Sequence, residues 1–361
     1  MIRKYTLRVG IVLLWIGLIA TALYWPTWEI FPYKKNTLNV FAWGDILEPS
    51  LIADFEKETG IKINLSFYSS NEELLVKLKA TGGKGYDLII PSDYAVNLLI
   101  EKGLLKELDK KKLPFWNQIN KHLLGHFFDP ENTYSIPFEW ELYGFGIDKE
   151  YFKDKPFDAS WKMLFDPQSY KVTMTNDPIE AVEFASFYLY GTSKSITSEQ
   201  GIGIKNLLMK QNKWVEAYAD SRGDYFLATK NCALVVASSS YIWRSMRLFD
   251  FIGFVVPKEG TFITIENLCI PKASNNDQLV YQLINYLYRP ESVAKHFEVF
   301  GFFPATLNAL DIAHVDPVTA ELLLNAETNF DKYAFFQDSL PQQEVRDIWV
   351  EVKSGQSNTD P

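Results

Sequence analysis

Between Leu38 and Gly103 the chain alternates between two hydrophobic periods, and this alternation restricts the fold more than any other stretch. Leu38-Asn39-Val40-Phe41-Ala42-Trp43 reads as an apolar strand. A helical pattern follows from Ser50 to Thr59 and stops at Gly60, a residue suited to the left-handed position after a helix. Ile61 to Tyr68 alternates as a second strand. Ser70-Asn71-Glu72-Glu73 opens a second helix with Leu74, Leu75 and Leu78 on one face. After the break at Gly82-Gly83-Lys84-Gly85, Tyr86 to Pro91 reads as a buried third strand, and Val96 to Lys102 resumes a helix that ends at Gly103. A β-α-β-α-β-α run with short connections demands a parallel sheet covered on both faces. Such sheets bind ligands outside the carboxyl ends of their strands. Trp43-Gly44-Asp45 and Ser92-Asp93-Tyr94 both fall there, on different strands that face one crevice.

The rest of the chain asks for a second core, since 361 residues exceed what one ordinary core holds. Tyr134-Ser135-Ile136-Pro137-Phe138-Glu139-Trp140 and Tyr143 to Asp148 are extended runs joined without a helix, which suits a strand crossing between two domains. Thr264 to Pro271 is extended again and fits a second crossing. Between the crossings lie further strands, Val172 to Met174, Cys232 to Ala237 and Phe251 to Val256, and a helical pattern from Ala181 to Tyr190. Gln278 to Tyr288 is an amphipathic helix that ends before Pro290. Thr175-Asn176-Asp177-Pro178-Ile179-Glu180 starts the Ala181 helix. Asp177 is placed as N-cap, Pro178 at the first helical position and Glu180 at the third, the spacing of a capping box. The same two acids also suit a pair held at the mouth of a cleft to grip a cation.

Residues 1–35 stand apart. Arg3, Lys4 and Arg8 precede an apolar run of 17 residues, Val9 to Trp25, which marks an export signal or a membrane anchor with the basic flank inside and the rest of the chain outward. Ala20-Thr21-Ala22 is the nearest approach to a cleavage site, so an uncleaved anchor and a poorly marked signal both stay open. An outward compartment permits a disulfide between the only two cysteines, Cys232 and Cys269, although two buried thiols fit their strand-like surroundings equally.

The net charge is −9, and beyond residue 35 it is −13, from 31 basic and 44 acidic side chains. An acidic body argues against a nucleic-acid partner, which needs a basic footprint. No Gly-rich phosphate loop, no His-Glu-x-x-His and no Gly-x-Ser-x-Gly occurs, and the four His lack ligand spacing, so no catalytic residue, metal or cofactor is expected. What remains at loop and crossing positions is acid: Asp45, Asp93, Glu139, Glu141, Asp177, Glu180 and Glu266. Aromatic residues make up 15% of the chain, and their faces can cover methylene stems and attract cations.

Several stretches then resemble the spermidine/putrescine-binding proteins of ABC importers: Leu38 to Trp43, Asp54-Phe55-Glu56-Lys57-Glu58-Thr59-Gly60-Ile61-Lys62, Tyr86 to Ser92, Tyr134-Ser135-Ile136-Pro137 and Val256-Pro257-Lys258-Glu259-Gly260. The resemblance runs from about Leu38 to Gly355. It implies an α/β, two-lobed type II periplasmic binding protein fold, each lobe a mixed, mostly parallel sheet flanked by helices, with two crossing strands and one polyamine in the cleft. Lobe 1 is then expected over 36–143 and 267–310, and lobe 2 over 144–266 and 311–361.

The resemblance also implies the binding residues. Asp177 and Glu180 match the family's paired acids at a helix start. Glu266 stands where an aspartate meets the central amine. Ser92 and Tyr94 match a serine and tyrosine after the third strand, Trp43 matches a cleft tryptophan, and Asp45 stands where the family has an acid close by that tryptophan. Phe302 takes the place of a tyrosine and Gln337 that of a glutamine. Two tryptophans that sandwich the ligand stem are replaced by Ala237 and Thr264, a threonine by Gly44, and Trp140, Tyr241 and Trp243 are the candidates to fill the box. The implied protein is a monomeric periplasmic binding component, free or tethered by an uncleaved N-terminal segment, that delivers a polyamine to an inner-membrane ABC permease. A tethered polyamine sensor, a binding protein for another small cation and an enzyme with a carboxylate pair are the other readings.

Overall fold

The computed structural model describes residues 36–219, 223–337 and 339–357, together with Leu14 and Trp15. The expected signal or anchor lies outside the described residues except for Leu14 and Trp15, which are helical. Among the described residues no helix is long and apolar enough to cross a membrane. The chain divides into two units, Met1–Thr37 and Leu38–Pro361, and the second holds everything that follows.

The opening alternation folds as its period dictates. Strand β1 (Thr37–Trp43) leads to α1 (Pro49–Thr59), β2 (Lys62–Tyr68), α2 (Asn71–Thr81), β3 (Leu88–Ile90) and α3 (Asp93–Glu101). Helix α1 has Pro49 in its first turn, the Glu48 side chain accepts from the Leu51 N–H, and Gly60 ends it at φ 72°. Helix α2 starts on Ser70, whose side chain accepts from the Glu73 N–H. Strands β1 and β3 are adjacent and parallel, with Ala42 opposite Ile90. Trp43 and Ser92 therefore leave the sheet at the same edge.

Strand β4 (Ser135–Asp148) joins both extended runs into one strand of 14 residues. After it come α4 (Lys149–Phe152), α5 (Lys162–Phe165), β5 (Val172–Thr175), α6 (Pro178–Tyr190), α7 (Ser198–Gln211), β6 (Val215–Ala219), α8 (Asp224–Ala228), β7 (Leu234–Ser238), α9 (Ser239–Met246), β8 (Ile252–Val255) and β9 (Phe262–Cys269). The chain closes with α10 (Asp277–Leu287), α11 (Pro290–Phe300), β10 (Phe303–Pro304), α12 (Pro317–Thr328), β11 (Ala334–Phe335) and α13 (Gln342–Ser357). The strand order is β2-β1-β3-β9-β4-β7-β5-β6. Strands β4 and β9 run antiparallel through its centre, while β5 pairs in parallel with β6 and β7.

Two cores flank these crossings. Ile136, Trp140, Leu142, Ile263 and Ile265 pack in the first with β1 and β3. Phe145, Ile147 and Phe262 pack in the second with β5 and α6. Both crossing strands thus feed both cores, and the chain is two-lobed. The sequence places 311–361 in lobe 2, but Leu323, Ala326 and Phe330 pack in the first core, and the buried members of the second core in this stretch begin at Phe336. The helix after Pro317 carries an apolar stripe that either core could bury, so its side is set by tertiary packing. Of the two cysteine alternatives, the structure has free thiols: Cys232 is beside Thr173 in a small cluster with Leu227 and Ile242, whereas Cys269 is in the first core.

Gly144 lets β8 lie close against β4. A Cβ there would meet Phe254 Cζ at 2.6 Å and the Val255 carbonyl oxygen at 2.7 Å. Gly144→Ala is expected to cost about 1–3 kcal/mol through forced separation of the two strands, read from the midpoint of urea unfolding.

Candidate functional site

Strand alternation explains how a buried crossing carries acid. In β9, Ile263 and Ile265 point into the first core, so Thr264 and Glu266 point the other way. In β4, Trp140 and Leu142 are core residues, and Glu139, Glu141 and Tyr143 share the opposite face. The pairing sets Glu139 opposite Glu266 and Glu141 opposite Thr264. This face floors a cavity of about 490 Å³ between the lobes. Its walls come from the ends of β1, β3 and β5 and the starts of α2, α3, α6 and α9.

The lining includes Asp45, Glu72, Asp93, Glu141, Asp177, Glu180 and Glu266, and no Lys, Arg or His among the described residues. Asp177 caps α6: one carboxylate oxygen accepts from the N–H groups of Ile179 at 2.8 Å and Glu180 at 3.0 Å. The capping box is not closed. The Asp177 N–H donates to the Thr175 hydroxyl instead. Glu180 turns into the cavity, where the Thr175 hydroxyl (2.5 Å) and the Tyr143 hydroxyl (2.6 Å) donate to its two oxygens. Two hydroxyls at the cavity wall outcompete one backbone N–H for this carboxylate, and the motif spacing could not show that.

Among the described residues no basic side chain lines the cavity beside these acids, and burial favours their neutral forms. Burial, then repulsion from Asp177, pushes the Glu180 pKa up to about 8 against the donors from Thr175 and Tyr143. Burial also raises Asp177, with Glu72 adding repulsion. Glu266 is held well above the usual carboxylate range by burial and by Asp93 and Glu141. Its Oε2 and the Trp43 Nε1 are both buried without a hydrogen-bond partner. The Trp43 N–H works against the rise in Glu266 without reaching hydrogen-bond geometry. Burial lifts Asp93 to about 7, although its carboxylate accepts from the N–H groups of Tyr94 (2.6 Å) and Ile265 (2.9 Å) and so ties α3 to β9. An unpaired buried carboxylate and a lone indole donor facing the same space are an unfinished hydrogen-bond network.

The other expected positions sort as follows. Trp43 lines the cavity and packs on Tyr68 with ring centroids 4.6 Å apart. Asp45 lies at the rim with φ 60°, an uncommon backbone for a residue with a side chain, and is 3.9 Å from Arg244. Ser92 accepts from the Asn71 amide at 2.8 Å, and the Tyr94 hydroxyl accepts from the Gln342 amide at 3.2 Å. Phe302 lines the cavity, as does Tyr241. Gln337 does not. It borders a smaller cavity of about 190 Å³ behind α6, where its N–H donates to Glu183. The glutamine beside a cleft residue is Gln342, five positions on, at the start of α13.

Of the three aromatic candidates for the box only Tyr241 lines the cavity. Trp140 is buried against Phe303 and Phe330, and the Trp243 indole donates to Thr319. Glu139 is close but sealed off: His296 Nδ1 lies 3.1 Å from it, and His296 Nε2 is 2.7 Å from the Ile46 carbonyl. An imidazole that donates to Ile46 through Nε2 has only a lone pair at Nδ1. A ring so oriented offers Glu139 no donor: both Glu139 oxygens are buried without a hydrogen-bond partner, and burial, then Glu266, holds its pKa well above the usual carboxylate range. Glu72 and Tyr143 were not singled out by sequence. Glu72 opens the helix after β2, and that position at a strand's carboxyl edge is the signal that could have found it.

Residues 50–323 match the family described as bacterial extracellular solute-binding protein. The spermidine/putrescine-binding periplasmic protein of Escherichia coli K12 is 32% identical over 273 residues, 74% of this chain and 77% of that protein. A putrescine-binding periplasmic protein of Pseudomonas aeruginosa is 28% identical over 348 residues, 89% of this chain and 93% of that protein. The fold is shared with the spermidine/putrescine ABC transporter substrate-binding protein of Streptococcus pneumoniae, at a TM-score of 0.77 and 23% identity over 89% of this chain and 99% of that one. With the family matched across both lobes and the cleft between them, the chain belongs to the bacterial extracellular solute-binding proteins, which are not enzymes.

Proposed function

We propose that this protein captures a polyamine outside the cytoplasmic membrane and presents it to an ABC permease. The observation that carries the reading is the cavity's charge: seven carboxyl side chains and, among the described residues, no basic one. Ammonium groups leaving water need charged partners and full hydrogen bonding. Asp177, Glu180 and Glu266 supply the charge, while Trp43, Tyr94 and Phe302 cover methylene stems. Ser92, Asp45 and the Asn71 that holds Ser92 complete the rim. Closure of the lobes about β4 and β9 buries the ligand, and the closed form is what a permease recognises. The names of the Escherichia coli and Pseudomonas relatives support the ligand class and the periplasmic setting. Attachment by the N-terminal segment and a monomeric state complete the proposal.

The test is calorimetry and thermal unfolding of the full chain with putrescine, spermidine, spermine and the zwitterion γ-aminobutyrate. A polyamine at a hundredfold excess over its Kd stabilises by about 2.7 kcal/mol, a rise of several degrees in Tm. A response to the zwitterion and none to any polyamine would remove the assignment.

A further inference from the structure

The floor of the cavity holds one acid more than a triamine can use. Glu141 is 8% exposed and lines the cavity from β4. The Ser240 hydroxyl donates to its Oε2. Glu266 is 7% exposed, lines the cavity from β9 and has a buried, unpartnered Oε2. In the register of the two strands Glu141 faces Thr264, and Glu139 faces Glu266, so Glu141 and Glu266 are diagonal neighbours on one face. Diagonal positions are on the order of 7–8 Å apart, comparable with the spacing that four methylenes put between two nitrogens. Thr264 and Ala237 are small neighbours, while the Trp43 indole approaches Glu266 and Tyr143 follows Glu141 on its strand face; both carboxylates line the cavity. Glu141 also repels Glu180, which places it electrostatically between the α6 pair and Glu266.

We infer that Glu141 and Glu266 form a central subsite for two internal cationic nitrogens, so that the cleft selects a tetraamine over a triamine or diamine. The inference rests on the polyamine reading above. Asp177 and Glu180 take one terminal ammonium, and Asp45 at the opposite rim attracts the other. A triamine brings one internal nitrogen. It pairs Glu266 and leaves Glu141 with only the Ser240 and Ser238 hydroxyls and the charge of Arg244 to oppose its burial, so its pKa stays raised. A tetraamine pairs both and drives one more proton into the buffer.

The experiment is calorimetry of the full chain with spermine and spermidine in two buffers of different ionisation enthalpy, on wild type, Glu141→Gln and Glu72→Gln. Gln keeps the acceptor for Ser240 and the volume of the side chain. Wild type is expected to bind spermine at least ~10-fold more tightly than spermidine and to release about one more proton with it. Glu141→Gln is expected to weaken spermine ~10- to 100-fold and spermidine less than ~3-fold, and to erase the extra proton. Glu72→Gln, at the exposed mouth, controls for charge alone and should change the ratio far less. Equal losses for both ligands in Glu141→Gln, an equal change of ratio in Glu72→Gln, or a wild-type preference for spermidine would each overturn the inference while leaving polyamine binding intact. Binding of neither ligand would remove the inference and the polyamine reading together.

Discussion

Asp177→Asn combined with Glu266→Gln is expected to abolish polyamine binding while leaving the fold intact. Asn is as good an N-cap as Asp, so α6 keeps its start. Gln preserves the volume of Glu266 on β9. What disappears is charge from both lobes. A hydrogen bond to a charged group contributes about 1.5–3 kcal/mol, so two lost partners weaken binding by about 10²- to 10⁴-fold. The same change should stabilise the unliganded protein in alkaline solution. The Glu266 pKa is raised in the fold, so the native state favours its proton. That stability is complete below the ordinary carboxylate range and is lost as pH rises through the folded pKa. Gln has no proton to lose. Tm of the double variant should match wild type near pH 5 and exceed it near pH 9. Lost binding together with an alkaline gain identifies acids held for a ligand at the expense of the empty fold. Undiminished spermidine and spermine affinity would refute their role, and an alkaline loss of Tm would mark them as structural acids.

The framework was legible because period and topology dictate it. The β-α-β-α-β-α opening could only be a parallel sheet, and that alone places Trp43 and Ser92 at one edge. The crossings were legible as extended runs that no helix interrupts. Chain beyond residue 310 was not, because an amphipathic helix such as α12 states which face it buries but not which core receives it. Site residues divide the same way. Asp177 and Glu180 could be found from spacing next to an apolar strand, yet the direction of Glu180 depends on hydroxyls at Tyr143 and Thr175, 37 and 5 positions away. Glu139 and Glu141 look alike in sequence, two residues apart on one strand face. Only the packing of α11, which lays His296 against Glu139, keeps one out of the cavity lining and leaves the other in it. Gln337 follows β11 outside any strand, where no period fixes its direction, and it borders the outer cavity.

Polyamine binding is expected to strengthen steeply between pH 6 and 8 and to release protons. Glu180 has a pKa of about 8 in the empty cavity, so at pH 7 it is mostly neutral. Burial is the first cause and Asp177 the second. An ammonium at the site opposes both, since it supplies the missing counter-charge and takes the place of the neighbour's repulsion. Binding therefore ionises Glu180, and each proton expelled makes affinity rise about tenfold per pH unit until the free group is itself ionised, near pH 8. Heats of binding should then depend on the buffer's ionisation enthalpy. The stability of the empty protein must move the other way. Unfolded, Glu180 returns to the ordinary value of 4.5, so between 4.5 and about 8 the native state holds a proton that the unfolded chain has released. That contribution is full below 4.5 and fades as pH climbs through 8, so Tm of the empty form falls across this window and a saturating polyamine removes the fall. The ligand-induced rise in Tm should be larger at pH 8 than at pH 6. Acids that were already ionised at pH 6, as exposed carboxylates are, would give the same affinity at both values and no proton release. That pattern would show that the cleft recognises cations through its surface charge rather than through the buried carboxyls of β9 and α6.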